Sequence, residues 1–94
     1  MSERSDRIAA ALSERLSAPH VEVEDESHLH AGHAGAASGG GHFRATVVSE
    51  RFAGLSRVAA QRVVYDVLRE EMEGEIHALA LRCLTPEQWK AEAG

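Results

Sequence analysis

Ninety-four residues with 15 acidic and 10 basic side chains carry a formal charge of −5, and 44% of them are apolar. This is the balance of one globular domain spanning residues 1–94, and a chain this short buries only about 60–65% of its unfolded surface, leaving little room for an enclosed active site beside a core. The acidic total opposes a sequence-independent grip on a phosphate backbone.

Residues 1–10 lack the apolar run of a secretion signal and no stretch reaches the length of a membrane span, so a cytoplasmic protein without membrane contact is expected. In chain order, Ser5 is placed to cap a first helix in which Ile8, Ala9, Leu12 and Leu16 recur at helical spacing, and Pro19 closes it. Val21-Glu22-Val23-Glu24-Asp25 alternates apolar and acidic residues as a half-buried strand does. From Ser27 to Gly41 the composition changes to Gly, Ala, Ser and His without a period of either kind, which predicts a mobile loop, poorly ordered without a partner. His42-Phe43-Arg44-Ala45-Thr46-Val47-Val48-Ser49 is β-branched and aromatic, and forms a hairpin with the first strand.

Ser56 is placed to cap a long helix from about Arg57 to Glu73, ended by Gly74. Val58, Val64, Tyr65, Leu68 and Met72 share its apolar arc, with Val63 and Val67 at the edge; Gln61 falls inside that arc, although a buried amide needs partners. Ile76 to Cys83 alternates as a third strand, with His77, Leu79, Leu81 and Cys83 on one face. Thr85-Pro86-Glu87-Gln88 is a capping box with proline at the first helical position, opening a final helix that bears Trp89. The order is α-β-β-α-β-α, an α/β (α+β) sandwich with helices against one face of a three-stranded mixed sheet, strands two and three parallel.

One cysteine, Cys83, excludes an internal disulfide and cannot supply a self-contained iron–sulfur or zinc site, so any cluster held here is shared. On a strand such a thiol reads as a small core group. Of the six histidines, His28, His30 and His33 lie in the glycine-rich loop, where imidazoles can converge on a metal or simply be solvated. His77 opens an apolar strand, as a satisfied structural residue or as an exposed ligand. Glu24-Asp25-Glu26 reads as a solvated run rather than a catalytic pair. No serine elbow, phosphate loop or HExxH spacing occurs. Gly32-His33-Ala34-Gly35 has the GxxG form of RNA-binding KH modules, but it joins two strands where those modules join two helices.

Val23-Glu24-Asp25-Glu26-Ser27 with its histidine loop, then His42-Phe43-Arg44 through Arg51-Phe52-Ala53-Gly54, resembles BolA-like proteins. The match continues in order through Gln61-Arg62-Val63-Val64-Tyr65, Ile76-His77-Ala78-Leu79 and Thr85-Pro86-Glu87-Gln88-Trp89. The resemblance covers nearly the whole chain. It implies a fold similar to the class II KH domain and a non-enzymatic adaptor that joins a monothiol glutaredoxin around a shared [2Fe–2S] cluster, in iron–sulfur trafficking or iron sensing. The glutaredoxin cysteine and bound glutathione would give the thiolates. This chain would give His77 and a loop histidine, which by position after Glu26-Ser27 is His30, with His28 and His33 as alternatives. Imidazole ligation raises a cluster's potential and makes it sensitive to acid, so the complex is expected to loosen below an imidazole pKa of ~6.5.

The competing function is a DNA-binding transcription regulator using Arg51, Arg57 and Arg62. Many members carry Arg-His-Arg where this chain has Ala60-Gln61-Arg62, which weakens that role. A loop that buffers metal by itself is the third possibility. The free protein is expected to be a monomer or weak dimer.

Overall fold

The computed structural model describes residues 3–27, 41–74 and 76–93. Helix α1 (Glu3–Arg15) forms because Ile8 and Leu12, followed by Leu16 just past its end, fall four apart on one stripe and bury completely. Glu3 and Asp6 in its first turn and Arg15 in its last suit the helix dipole. Ser5 lies buried inside the first turn rather than capping it.

Strands β1 (His20–Asp25) and β2 (Gly41–Val48) pair antiparallel, from His20 opposite Val48 to Asp25 opposite Phe43. Strand β3 (Ile76–Leu84) lies parallel to β2, giving the order β1-β2-β3 and the mixed sheet that the sequence predicts. Phe43, Ala45 and Val47 of the central strand pack with Ile8, Leu12 and Leu16 and with Ala60, Val64 and Leu68 from the crossover. After β2 a 3-10 turn (Glu50–Phe52) is tied down by Ser49, whose buried Oγ donates to the Leu16 carbonyl (2.8 Å) and accepts from the Arg51 N–H (3.1 Å).

The predicted long helix is broken in two, α2 (Arg57–Val67) and α3 (Arg69–Gly74), at Leu68. Leu68 is fully buried, and Arg15 reaches over from α1 to take the Val67 carbonyl (2.6 Å), which a continuous helix would offer to the Glu71 N–H. The same guanidinium grips the Glu71 carboxylate with both nitrogens (3.1 and 3.2 Å). The buried stripe of α2 is Ala60 and Val64, leading to Leu68, which leaves Val58 (59%) and Tyr65 (39%) exposed, contrary to the arc drawn from sequence. Gln61 is half-buried on a surface groove and not in the core. Ser56 caps α2 as expected, accepting from the Ala59 N–H at 3.1 Å.

Helix α4 (Pro86–Ala93) opens on the predicted capping box, in which Thr85 and Gln88 exchange backbone-to-side-chain hydrogen bonds of 2.9 and 3.2 Å. It departs from the one-faced sandwich. Trp89 stacks on His20 (ring centroids 4.6 Å apart, planes 22°), and His20 alternates with the core-facing Val21, so the tryptophan sits on the far side of the sheet from α1. Val48, opposite His20, is buried. No helix among the described residues is long and apolar enough to cross a membrane.

Candidate metal centre

The start of β3 does not follow the simple alternation read from its sequence. Gly41 stands opposite Ile76, but the next residue of β2, His42, stands opposite Ala78, so His77 is the extra residue of a β-bulge. The bulge shifts the strand's phase by one. Ile76 and Leu79 both turn into the core, whereas His77 and Ala78 are both exposed. His77 is therefore parted from Leu79, Leu81 and Cys83, the face that strict alternation assigns it.

Beside His77 the sheet is clasped where the loop leaves and returns. The Glu26 N–H donates to the His42 carbonyl (2.7 Å), and the His42 N–H donates to Ser27 Oγ (3.1 Å). Asp25 holds the Ser27 N–H (2.9 Å), and Arg44 donates to Glu26 (3.3 Å). Asp25 and Glu26 of the acidic run are thus engaged where the two strand ends meet. Gly41 is required here for space, since a Cβ would lie 2.6 and 2.7 Å from two Phe43 ring atoms and 2.9 Å from Ser27 Oγ. The His42 ring stands 5.2 Å from that of His77, with planes tilted by 51°.

His28, His30 and His33 lie outside the described residues.

Cys83 is half-buried against the core, and desolvation pushes its thiol up to about 11. A protonated thiol is a poor metal ligand and nucleophile. Cys83 lines a surface groove of about 470 Å³ with Leu55, Arg57, Gln61 and Gln88, at the opposite end of β3 from His77. Among the described residues no three His, Cys, Asp or Glu side chains converge to hold a metal ion.

Arg51 on the 3-10 turn and Arg57 and Arg62 on α2 are all exposed. Arg62 comes five positions after Arg57 on the helix, a rotation of about 140°, so the two do not share one face. Sequence reasoning missed His42. Its signal was the register of a parallel strand pair joined by a long crossover, which local patterns do not carry.

Comparison with known proteins agrees with this architecture. The family profile described as BolA-like protein matches residues 12–88. The chain is 43% identical over 83 residues to BolA-like protein 1 of Mus musculus, covering 88% of this chain and 58% of that one. It is also 43% identical over 75 residues to the DNA-binding transcriptional regulator BolA of Haemophilus influenzae, covering 79% and 70% respectively. The chain thus spans somewhat over half the length of the mouse relative. Among solved structures, the BolA domain of SufE1 from Arabidopsis thaliana superposes with a TM-score of 0.79 at 37% identity, covering 93% of this chain and 96% of that one.

Proposed function

The chain belongs to the BolA-like family, and from that premise we propose that it is a cytoplasmic, non-enzymatic adaptor that binds a monothiol glutaredoxin and co-ligates a [2Fe–2S] cluster. The observation that carries this reading is the exposed His77, turned outward by a bulge beside the clasped base of a histidine-bearing loop. A core histidine would not be presented in this way. The donor set fits a shared cluster: this chain offers imidazoles, while its one thiol is held protonated. Two imidazoles and two external thiolates complete the tetrahedral S/N ligation that iron–sulfur clusters take. When bound, the cluster supplies one-electron chemistry and a transferable iron–sulfur unit. His77 gives an imidazole nitrogen at an open surface where a partner can approach, beside the clasped strand ends. His30 is the loop ligand of this reading, with His28 and His33 able to replace it.

The test is anaerobic reconstitution of the protein with a monothiol glutaredoxin, glutathione, iron and sulfide, followed by visible absorption and circular dichroism. A cluster spectrum distinct from that of the glutaredoxin alone, lost with His77→Ala, is expected. An unchanged spectrum on mixing overturns the proposal.

The name of the Haemophilus influenzae relative supports a second reading, a DNA-binding regulator. Arg51, Arg57 and Arg62 are its candidate phosphate contacts, and the charge of −5 opposes it. Duplex binding that falls steeply with salt and weakens on Arg57→Ala or Arg62→Ala would support it, and undetectable binding removes it.

A further inference from the structure

Strand β3 lies at the edge of the sheet among the described residues, with β2 on one side and no strand on the other. Successive residues of a strand turn their backbone N–H and C=O to opposite sides. The Leu84 carbonyl accepts from the Ser49 N–H (2.9 Å), so Leu84 presents its backbone to β2, and Arg82 and Ala80 do the same. Leu79, Leu81 and Cys83 therefore present theirs to the open edge. The Tyr65 hydroxyl, reaching across from α2, donates to the Leu79 carbonyl (3.2 Å), as this parity requires. Among the described residues no group does the same for Leu81 or Cys83.

An open edge is normally blunted by a bulge, a proline, a charge or a covering segment. At its His77 end β3 has the bulge, and at Leu79 it has Tyr65. From Leu81 to Leu84 it has neither, and here the edge runs along the groove of about 470 Å³. One wall of the groove is the turn into α2, with Leu55 and Arg57, and the other is α4, with Gln88 and Glu92. Leu55 is 42% exposed, and with the half-buried Leu81 it gives the groove an apolar seat. Glu92 is engaged by Arg82, whereas Arg57 has no ion-pair partner among the described residues, so the unengaged charge is positive.

We propose that this groove takes an extended peptide of a partner protein, which adds to β3 as a further strand. Backbone pairing with Leu81 and Cys83 supplies the affinity. An apolar residue against Leu55 and Leu81, and an acidic one against Arg57, supply the selectivity. The open stretch is about 13 Å long, which suits about four to five residues of extended chain. A nucleic acid has no row of alternating N–H and C=O groups to match such an edge, and a charge of −5 opposes it. The groove lies at the opposite end of β3 from His77, so its test uses neither glutaredoxin nor metal.

Random peptides of about nine residues, displayed on phage, are selected on the intact protein, and the strongest binder is synthesised as the probe. Selected sequences should share an acidic residue near an apolar one. Hydrogen exchange followed by NMR should show the Leu81 and Cys83 amides protected on binding. Methylating alternate N–H groups of the peptide should weaken it about tenfold or more, and methylating those between should leave it unchanged. Arg57→Gln, at an exposed position, should weaken it about twofold to fivefold, the worth of an exposed ion pair. The methylated peptides leave the protein untouched, so misfolding cannot imitate their effect. Failure to select a peptide, a peptide that leaves the Leu81 and Cys83 amides unprotected, or binding indifferent to which amides are methylated overturns the proposal. Protection of the same amides by a DNA duplex and not by the peptide assigns the groove to nucleic acid and overturns it. Protection that rises with protein concentration alone assigns the edge to a second copy, with the same consequence.

Discussion

Replacing Gly41 with alanine sets a backbone that tolerates the change against a space that does not. Among the described glycines only Gly54 has a positive φ (77°), so alanine can adopt the conformation at position 41. Its methyl group, however, would lie 2.6 and 2.7 Å from the Phe43 ring and 2.9 Å from Ser27 Oγ. The Phe43 ring is 2% exposed in a filled core and has nowhere to swing. Overpacking of this kind costs about 1–3 kcal/mol. Pushing Ser27 away also breaks its bond from the His42 N–H (3.1 Å), a further loss of ~1 kcal/mol. Stiffening the unfolded chain returns only about 0.4–1 kcal/mol. The net expectation is a loss of about 2 kcal/mol, or about 8–16 °C in Tm for a domain of this size. Urea unfolding and calorimetry measure it. Gly54→Ala is the counterpart: no atom lies within 4 Å, so strain alone acts, at ~1 kcal/mol. Adding Phe43→Leu to Gly41→Ala should recover part of the loss, since contacting residues couple. A Gly41→Ala protein within ~0.5 kcal/mol of wild type would refute the argument from space.

Ser49→Ala should cost about 2–3 kcal/mol by urea unfolding, because it removes a cap and strands the buried Leu16 carbonyl, whereas Ser56→Ala at an exposed cap should cost only ~1 kcal/mol. Equal losses would contradict the burial argument. The hydrogen bonds from Arg15 hold the Glu71 carboxyl below the usual range, so the pair's contribution is complete above the ordinary glutamate pKa and disappears as pH falls through the lower folded value. The stability gap between wild type and Glu71→Gln should therefore close on acidification below about pH 4, as read from urea midpoints. A gap that stays constant to pH 2.5 would contradict this. Cys83, with its thiol pushed up to about 11, should react with iodoacetamide at pH 8 on the order of 10²-fold more slowly than a free thiol, speeding up towards pH 11. Rapid labelling at pH 8 would show the thiol to be exposed.

The features legible in the sequence are those whose cause lies within a few residues. Thr85 and Gln88 form their capping box, Ser56 caps its helix, and the alternation of Val21 and Val23 marks β1 because each signal is local. The element order and the parallel pair follow from them. Leu68 breaks its helix because a guanidinium from α1 captures a neighbouring carbonyl, and nothing near Leu68 announces it. Val58 and Tyr65 carry apolar bodies at helical spacing, but which arc is buried depends on where the sheet lies. The helix bearing Trp89 reaches the far face through a stack on His20, a contact between the last helix and the first strand. At the candidate site, His77 was visible as a histidine opening an apolar strand. Its outward turn and the approach of His42 depend on a one-residue register shift, invisible until β2 and β3 are paired.

That pairing also bears on how the molecule folds. Parallel strands cannot be joined by a tight turn, so β2 and β3 meet only after the whole crossover through α2 and α3 has closed. Such non-local pairing forms late and slowly. In the unfolded ensemble β2 and β3 share no neighbourhood, and a ligand bridging both is bound by the folded molecule alone. At a hundredfold excess over its Kd such a ligand would add about 2.7 kcal/mol to stability. A ligand bridging these two strands would thus staple a joint that the chain makes only across its whole crossover.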